Sequence, residues 1–222
     1  MDITEVIGKR KSIRAFKSDQ VSLDLLKKIM EPALRAPSWA NTQPWEFAVV
    51  TGKPLQQIQD GFVAKGDTKP YPDIARPYEF PEPYISRISA LRPGGRDLTK
   101  EEEEARRLNN FRHYGAPAVI YLLIGRDFYY ETKGINAWSL YDCGSAIQNI
   151  MLLATNHGLG TIAQAQAVVF PDIIRRFTDI PDSKLIALGI AIGYPDWGDP
   201  LNEPWRTREP LDRIATFHGF GK

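Results

Sequence analysis

Apolar and polar positions along the 222-residue chain alternate with two periods, and the periods set the expected elements. Ile3, Val6 and Ile7 recur at helical spacing and predict a short first helix. "SLDLLKKIMEPALRA" (Ser22 to Ala36) places Leu25, Leu26, Ile29, Ala33 and Leu34 on one side. Ser22 suits its N-cap, and Pro32 should bend or end it. "WEFAVVT" (Trp45 to Thr51) reads as a strand, and Pro54 to Gly66 as a helix with proline in its first turn. Thr99 and Glu102 form a capping box ahead of a charged helix. "APAVIYLLIG" (Ala116 to Gly125) and "KLIALGIAIGY" (Lys184 to Tyr194) read as buried strands. Between them, Asn136 to His157 reads as a long helix with a stripe of Leu140, Cys143, Ile147, Ile150 and Ala154, stopped at Gly158. "PDIIRRF" is a brief helix. The loose order of strands and helices predicts one α+β domain over residues 1–222.

Two stretches do not fit this pattern. Residues 67–98 are crowded with prolines and aromatics and show neither period, which suggests a lid or binding loop. Their aromatics argue against disorder. "RAPSWANTQPWEF" (residues 35–47) carries two prolines, two tryptophans, a serine and two amides, more chemistry than a turn requires.

Composition narrows the function. Hydrophobic residues make up 43% and charged residues 25%, ordinary for a globular protein, and the net charge of +1 gives no global case for nucleic acid or an acidic membrane. The longest apolar stretch is far short of the ~20 residues that span a bilayer. With one cysteine and no apolar leader, the expectation is a cytoplasmic protein. None of His113, His157 and His218 has a partner at metal-ligand spacing, so no metal is expected. There is no G-x-S-x-G elbow, P-loop or G-x-G-x-x-G after a strand. Cys143 sits in a core stripe. If the chain is an enzyme, its reactive group belongs to a cofactor rather than to a side chain. Three polar sites remain. Arg10, Lys11, Ser12 and Arg14 form either a solvated basic face or an anion site. Arg206 and Arg208, at alternate positions of a tail, are either surface arginines or a pair converging on one anion. The loop at 35–47 is either a cap and turn with Trp39 and Trp45 in the core, or a binding loop.

Taken together the motifs resemble those of the FMN-dependent nitroreductase superfamily over about residues 3–220. "RKSIRAF", "APSWANTQPW", "YGAPAVI", "GLGTIAQ" and "WRTREPLDRIATFHGF" are similar to its signatures, in its order. The resemblance implies a nitroreductase-like fold: a central mixed, mainly antiparallel sheet flanked by helices, with residues 67–98 as lid and 195–222 as a tail exchanged across a homodimer. It implies bound FMN. Arg10, Ser12, Arg206 and Arg208 match positions that hold the phosphate and ribityl chain, and Lys11 matches a further flavin contact. Arg14 matches the cation near the pyrimidine edge, where a fixed positive charge stabilises reduced flavin. Pro37, Ser38, Trp39 and Asn41 match the loop that contacts the flavin of the other subunit. Asn110 lies near polar contacts to the ring edge, and a backbone N–H among Ala163, Gln164 and Ala165 would face flavin N5. Many relatives have Cys-Pro where this chain has Ile162-Ala163.

The implied reaction is a ping-pong exchange, in which NADH or NADPH delivers hydride to flavin N5 and a flat acceptor then takes the electrons in the same pocket. Nitroaromatics and quinones suit such a slot. Tyr71, Tyr78, Phe80 and Tyr84 of the lid either stack on that acceptor or pack the lid onto the domain. The Glu–Tyr–Lys clamp of flavin dehalogenases is not evident. The alternatives are a quinone, enone or flavin reductase or a reductive dehalogenase of the same fold, and an FMN-binding module without turnover. Nucleic-acid and membrane partners are not expected.

Overall fold

The structure, a computed structural model, describes residues 1–77, 79–91, 96–131, 134–203 and 206–220. Its centre is a four-stranded sheet of β1 (Trp45–Thr51), β2 (Ala118–Gly125), β5 (Gly160–Gln164) and β6 (Lys184–Gly193). The spatial order is β1-β2-β6-β5, and every neighbouring pair is antiparallel. A bulge between Leu122 and Leu123 shifts the β2–β6 register. The only parallel pairing among the described residues is a single bridge between Ser12 and Thr161, which adds the N-terminal segment to the edge at β5.

Both faces of the sheet are covered, which explains why β2 reads as a continuous apolar run. Ile120, Leu122 and Ile124 face one core with α2 (Leu23–Ala33) and α7 (Ala137–Asn156). Val119, Tyr121 and Leu123 face the other, where α3 (Gly52–Ala64), α5 (Lys100–Phe111) and α8 (Pro171–Arg176) contribute Ile58, Phe62, Phe111 and Ile174. Each fully buried Ile, Leu or Phe contributes roughly 1.5–3 kcal/mol through its removal from water.

The helix ends follow the expected signals. Ser22 Oγ accepts from Leu25 N–H, and α2 stops one residue beyond Pro32. The Thr99–Glu102 capping box is present in both directions. Gly158 takes φ +78° after α7. Of the α7 stripe, Cys143, Ile147, Ile150 and Ala154 are buried, but Leu140 is exposed. The excursion over residues 67–98 is not wholly irregular, because it contains α4 (Tyr84–Ser89). A second unexpected unit follows β2: α6 (Arg126–Tyr129) leads into a small hairpin of β3 (Tyr130–Glu131) and β4 (Gly134–Ile135). α1 (Ile3–Lys9) and α9 (Leu211–Ile214) lie near the two ends of the chain.

Candidate active site

The site begins where α1 ends. Arg10 leaves the helix with extended backbone (φ −64°, ψ 123°), and the chain runs beside β5, with Ile13 N–H donating to Thr161 O at 3.0 Å. Ile13 and Ala15 are buried in this extended run, so the alternate residues Ser12 and Arg14 project to the opposite side. The segment is locked by Asn202, a buried amide 188 positions from Arg14. Its Oδ1 accepts from Arg14 N–H at 2.7 Å, and its Nδ2 donates to Ala15 O and Asp196 O, both at 2.8 Å. Lys11 Nζ donates to Asn202 O. Asn202 therefore brings the N-terminal basic motif and the C-terminal tail together.

The result is a cavity of about 480 Å³ lined by Ile7, Gly8, Arg10, Lys11, Ser12, Arg14, Gln148, Arg206 and Arg208. No carboxylate among the described residues lines it. Arg10, Arg14, Arg206 and Arg208 make no ion pair with a described residue. Burial, followed by the Arg208 guanidinium, pulls Arg10 below its ordinary pKa. Like charges held together without a counter-ion are unfavourable alone and favourable around an anion. The donors, guanidiniums with a hydroxyl and an amide, suit a phosphate ester bearing a polar chain, so the residues present fit FMN.

Arg14 also lines a larger cavity of about 670 Å³. Its inner wall carries Asn110, Phe111, Tyr114 and the end of β5 at Ile162, Ala163, Gln164 and Ala165. Gln164 Nε2 donates to Asn110 Oδ1 at 3.2 Å, and Asn110 Nδ2 donates to Tyr114 Oη at 3.0 Å. Behind them His113 is fully buried, 3.5 Å from the Tyr121 hydroxyl. Burial pulls the imidazole down to about 4, opposed by the adjacent Gln164 side chain. His113 is therefore neutral at ordinary pH. Its Nδ1 and Gln164 Oε1 find no hydrogen-bond partner among the described residues.

The opening loop stands elsewhere. Pro37, Ser38, Trp39 and Asn41 line neither cavity of their own chain. Ala40, Asn41 and Gln43 all have positive φ, between +46° and +57°. Such backbone is costly outside glycine, and here it is held from two sides. Gln43 N–H donates to Ser38 Oγ at 3.0 Å, and Trp39 N–H donates to the buried carboxylate of Asp142 on α7 at 2.9 Å. Trp45 is in the core as the turn reading required, whereas Trp39 is 63% exposed and packs in no core of this chain.

Among the lid aromatics, Tyr71 is an anchor. Its ring lies against Phe170, and its hydroxyl accepts from Lys65 at 2.5 Å and donates to Asp172 at 2.7 Å. Phe80 and Tyr84 are exposed and line neither cavity, and Tyr78 lies outside the described residues. The lid reaches the larger cavity instead through Asp67, Thr68, Pro70, Arg76 and Leu98. Asn202, Asp142, Gln148 and Arg76 were not singled out from the sequence. Asp142 left one trace, an acid beside the apolar stripe of a long helix.

A model of the Nitroreductase family matches residues 7–194. The chain belongs to the nitroreductase family. A 4-nitrobenzoate reductase of Nocardioides sp. (strain LMS-CY) is 31% identical over 224 residues, covering 96% of this chain and 88% of the relative. A 4-nitrobenzoate reductase of Pseudomonas putida is 29% identical, covering 100% and 97%. Among solved structures, the FMN and NADPH-dependent nitroreductase NfnB from Sphigopyxis sp. strain HMH superimposes with a TM-score of 0.85 at 29% identity, covering 99% of this chain and 100% of that one. NfnB from Mycobacterium smegmatis, solved in complex with NADPH, gives a TM-score of 0.85 at 25% identity and 97% coverage of both chains. No helix among the described residues is long and apolar enough to cross a membrane. No group of His, Cys, Asp or Glu among them is arranged to hold a metal.

Proposed function

We propose that the chain is an FMN-dependent NAD(P)H nitroreductase that works as a homodimer. The observation that carries this is the cavity of unpaired guanidiniums at Arg10, Arg14, Arg206 and Arg208, joined through Arg14 to a larger cavity at the end of β5. Arg10, Ser12, Arg206 and Arg208 hold the phosphate and ribityl chain, with Lys11 and Gln148 beside them. Arg14, at the junction of the two cavities, sets a positive charge beside the ring. Asn110 and the backbone at Ala163, Gln164 and Ala165, which line the larger cavity together, would hold the ring edge. Bound FMN would supply the redox chemistry, a hydride and electron exchange between NADH or NADPH and a nitroaromatic or quinone acceptor. The larger cavity is within the size range of small-molecule sites, and its Pro70 and lid wall limit water around the exchange.

A second copy of the chain completes the site. The outer side of α7 exposes Trp138 and Tyr141, stacked edge to face, and Asp142 between them and Cys143 anchors the exposed Trp39 loop. The tail exposes Leu211, Ile214, Phe217 and Phe220. Apolar surface on this scale fits an interface better than solvent. In that arrangement Pro37, Ser38, Trp39 and Asn41 serve the partner's flavin, and residues 195–222 embrace the partner.

Comparing FMN with riboflavin tests the assignment. Riboflavin keeps the ring and ribityl chain and lacks the phosphate. Calorimetry on the flavin-free protein should show FMN binding far more tightly, with the difference shrinking as salt is raised. Equal affinities would remove the phosphate role of the basic cavity.

A further inference from the structure

The larger cavity has a charge imbalance of its own. Among the described residues its lining holds four guanidiniums, Arg14, Arg76, Arg106 and Arg107, against two carboxylates, Asp67 and Glu103. Arg107 is already committed. It pairs with Glu104 at 2.6 Å and Asp67 at 3.8 Å and donates to Gly66 O. The side chains of Arg76 and Arg106 make no hydrogen bond or ion pair with any described residue, and Glu103 lies beyond ion-pair distance of both. Arg76 comes from the lid and Arg106 from α5, one turn before Asn110, whose Nδ2 donates to Arg106 O at 2.8 Å. The half-buried Arg76 is the stronger of the two sites, because solvent screens the exposed Arg106 more.

We propose that Arg76 and Arg106 form an anion subsite in the wall of this cavity, receiving a carboxylate, sulfonate or phosphate carried by the small molecule that enters it. The proposal rests on the nitroreductase reading and deepens it. The FMN phosphate is accounted for by the separate basic cavity, so the second anion belongs to the acceptor or to the reductant. An aromatic acceptor bearing an acidic group opposite its reducible group would place the acid against these arginines and leave the reducible end free to face the end of β5. The same chemistry is offered by the 2′-phosphate that distinguishes NADPH from NADH.

The test uses the holoprotein and three variants, Arg76→Met, Arg106→Met and the double replacement, with Arg76→Lys as the charge-retaining control. Four substrates are compared: 4-nitrobenzoate, its neutral methyl ester, NADPH and NADH. If the acceptor carries the anion, kcat/KM for 4-nitrobenzoate falls roughly tenfold in Arg76→Met, as for one lost charge-assisted hydrogen bond, while the ester is little changed. If the reductant carries it, the NADPH-to-NADH ratio falls instead. Either result supports the subsite, and Arg76→Lys should recover part of the loss. Unchanged ratios for both pairs in the double variant overturn it. Equilibrium binding of benzoate, read by tryptophan fluorescence, supplies an arm independent of turnover. Weaker binding in the double variant supports the subsite, and unchanged binding counts against it. Flavin content and reduction of neutral nitrobenzene report separately on the nitroreductase assignment, so the two ideas can fail independently.

Discussion

Replacing Arg10 with Met should move two properties in opposite directions. In the flavin-free protein Arg10 is a strained charge, half-buried and held beside Arg208 without a carboxylate. Burial and that neighbour both disfavour its protonated form, so the folded state is destabilised at every pH where the guanidinium is charged. Methionine keeps much of the stem's apolar contact and removes the charge. The flavin-free variant should therefore melt higher than wild type, by about 2–4 °C for each 1 kcal/mol relieved in a chain of this size. FMN affinity should fall at the same time. One charge-assisted hydrogen bond to a phosphate is worth roughly 1.5–3 kcal/mol, or about 10- to 150-fold in Kd. Riboflavin affinity should barely change. Calorimetric melting of the flavin-free proteins and titration with both flavins measure all three quantities. A variant that loses FMN and riboflavin alike, or whose flavin-free form melts lower than wild type, would show that Arg10 is a structural cation and refute the argument.

Three other residues give sharp expectations. The buried His113 has a folded pKa of about 4 against an ordinary 6.5, so the unfolded chain binds more protons between those values and stability is lost as pH falls through that window. The loss should approach about 3 kcal/mol, and thermal melts between pH 7 and 5 should show a slope that His113→Asn, which tolerates the left-handed backbone there (φ +51°), reduces. Asp73 ties the lid to the sheet: its carboxylate pairs with Arg175 at 2.7 Å and accepts Ile186 N–H at 2.8 Å, so Asp73→Ala should cost roughly 1.5–3 kcal/mol in denaturant unfolding, because Ile186 N–H loses its acceptor and Arg175 keeps only Asp182 at 3.4 Å and the Lys184 carbonyl. Asp142→Ala removes the acceptor that pins the Trp39 loop, whereas Asp142→Asn keeps one; the alanine variant should lose flavin on dilution and show faster proteolysis at residues 38–43, with the asparagine variant between it and wild type.

What could be read in the chain depended on how local the cause was. β2 was legible because a strand buried on both faces must be apolar throughout, and α5 because a capping box lies within four residues. α4 was hidden by the prolines and aromatics around it, and β3 and β4, two residues each, are too short to show a period. Leu140 extended an apolar stripe on paper but faces outward, since a stripe does not say how wide its buried part is. The site divides in the same way. The spacing of Arg10, Ser12 and Arg14 is that of one face of an extended chain, and the motifs they share with a known family give the expectation of a flavin-binding role. Asn202 could not be read, because its meaning comes from contacts 187 and 188 positions away. Positive φ at Ala40 and Gln43 has no sequence signal, since glycine is absent there. Arg76 sits in an aperiodic segment and gains significance only because the fold sets it in one cavity with the end of β5.

The visible spectrum of the purified protein, recorded without oxygen, tests the central assignment most directly. Oxidised-flavin bands should bleach when NADH or NADPH is added and return in full when a nitroaromatic follows. Bands that never bleach would leave an FMN-binding module without turnover, and a colourless protein that takes up no added FMN would contradict the assignment outright.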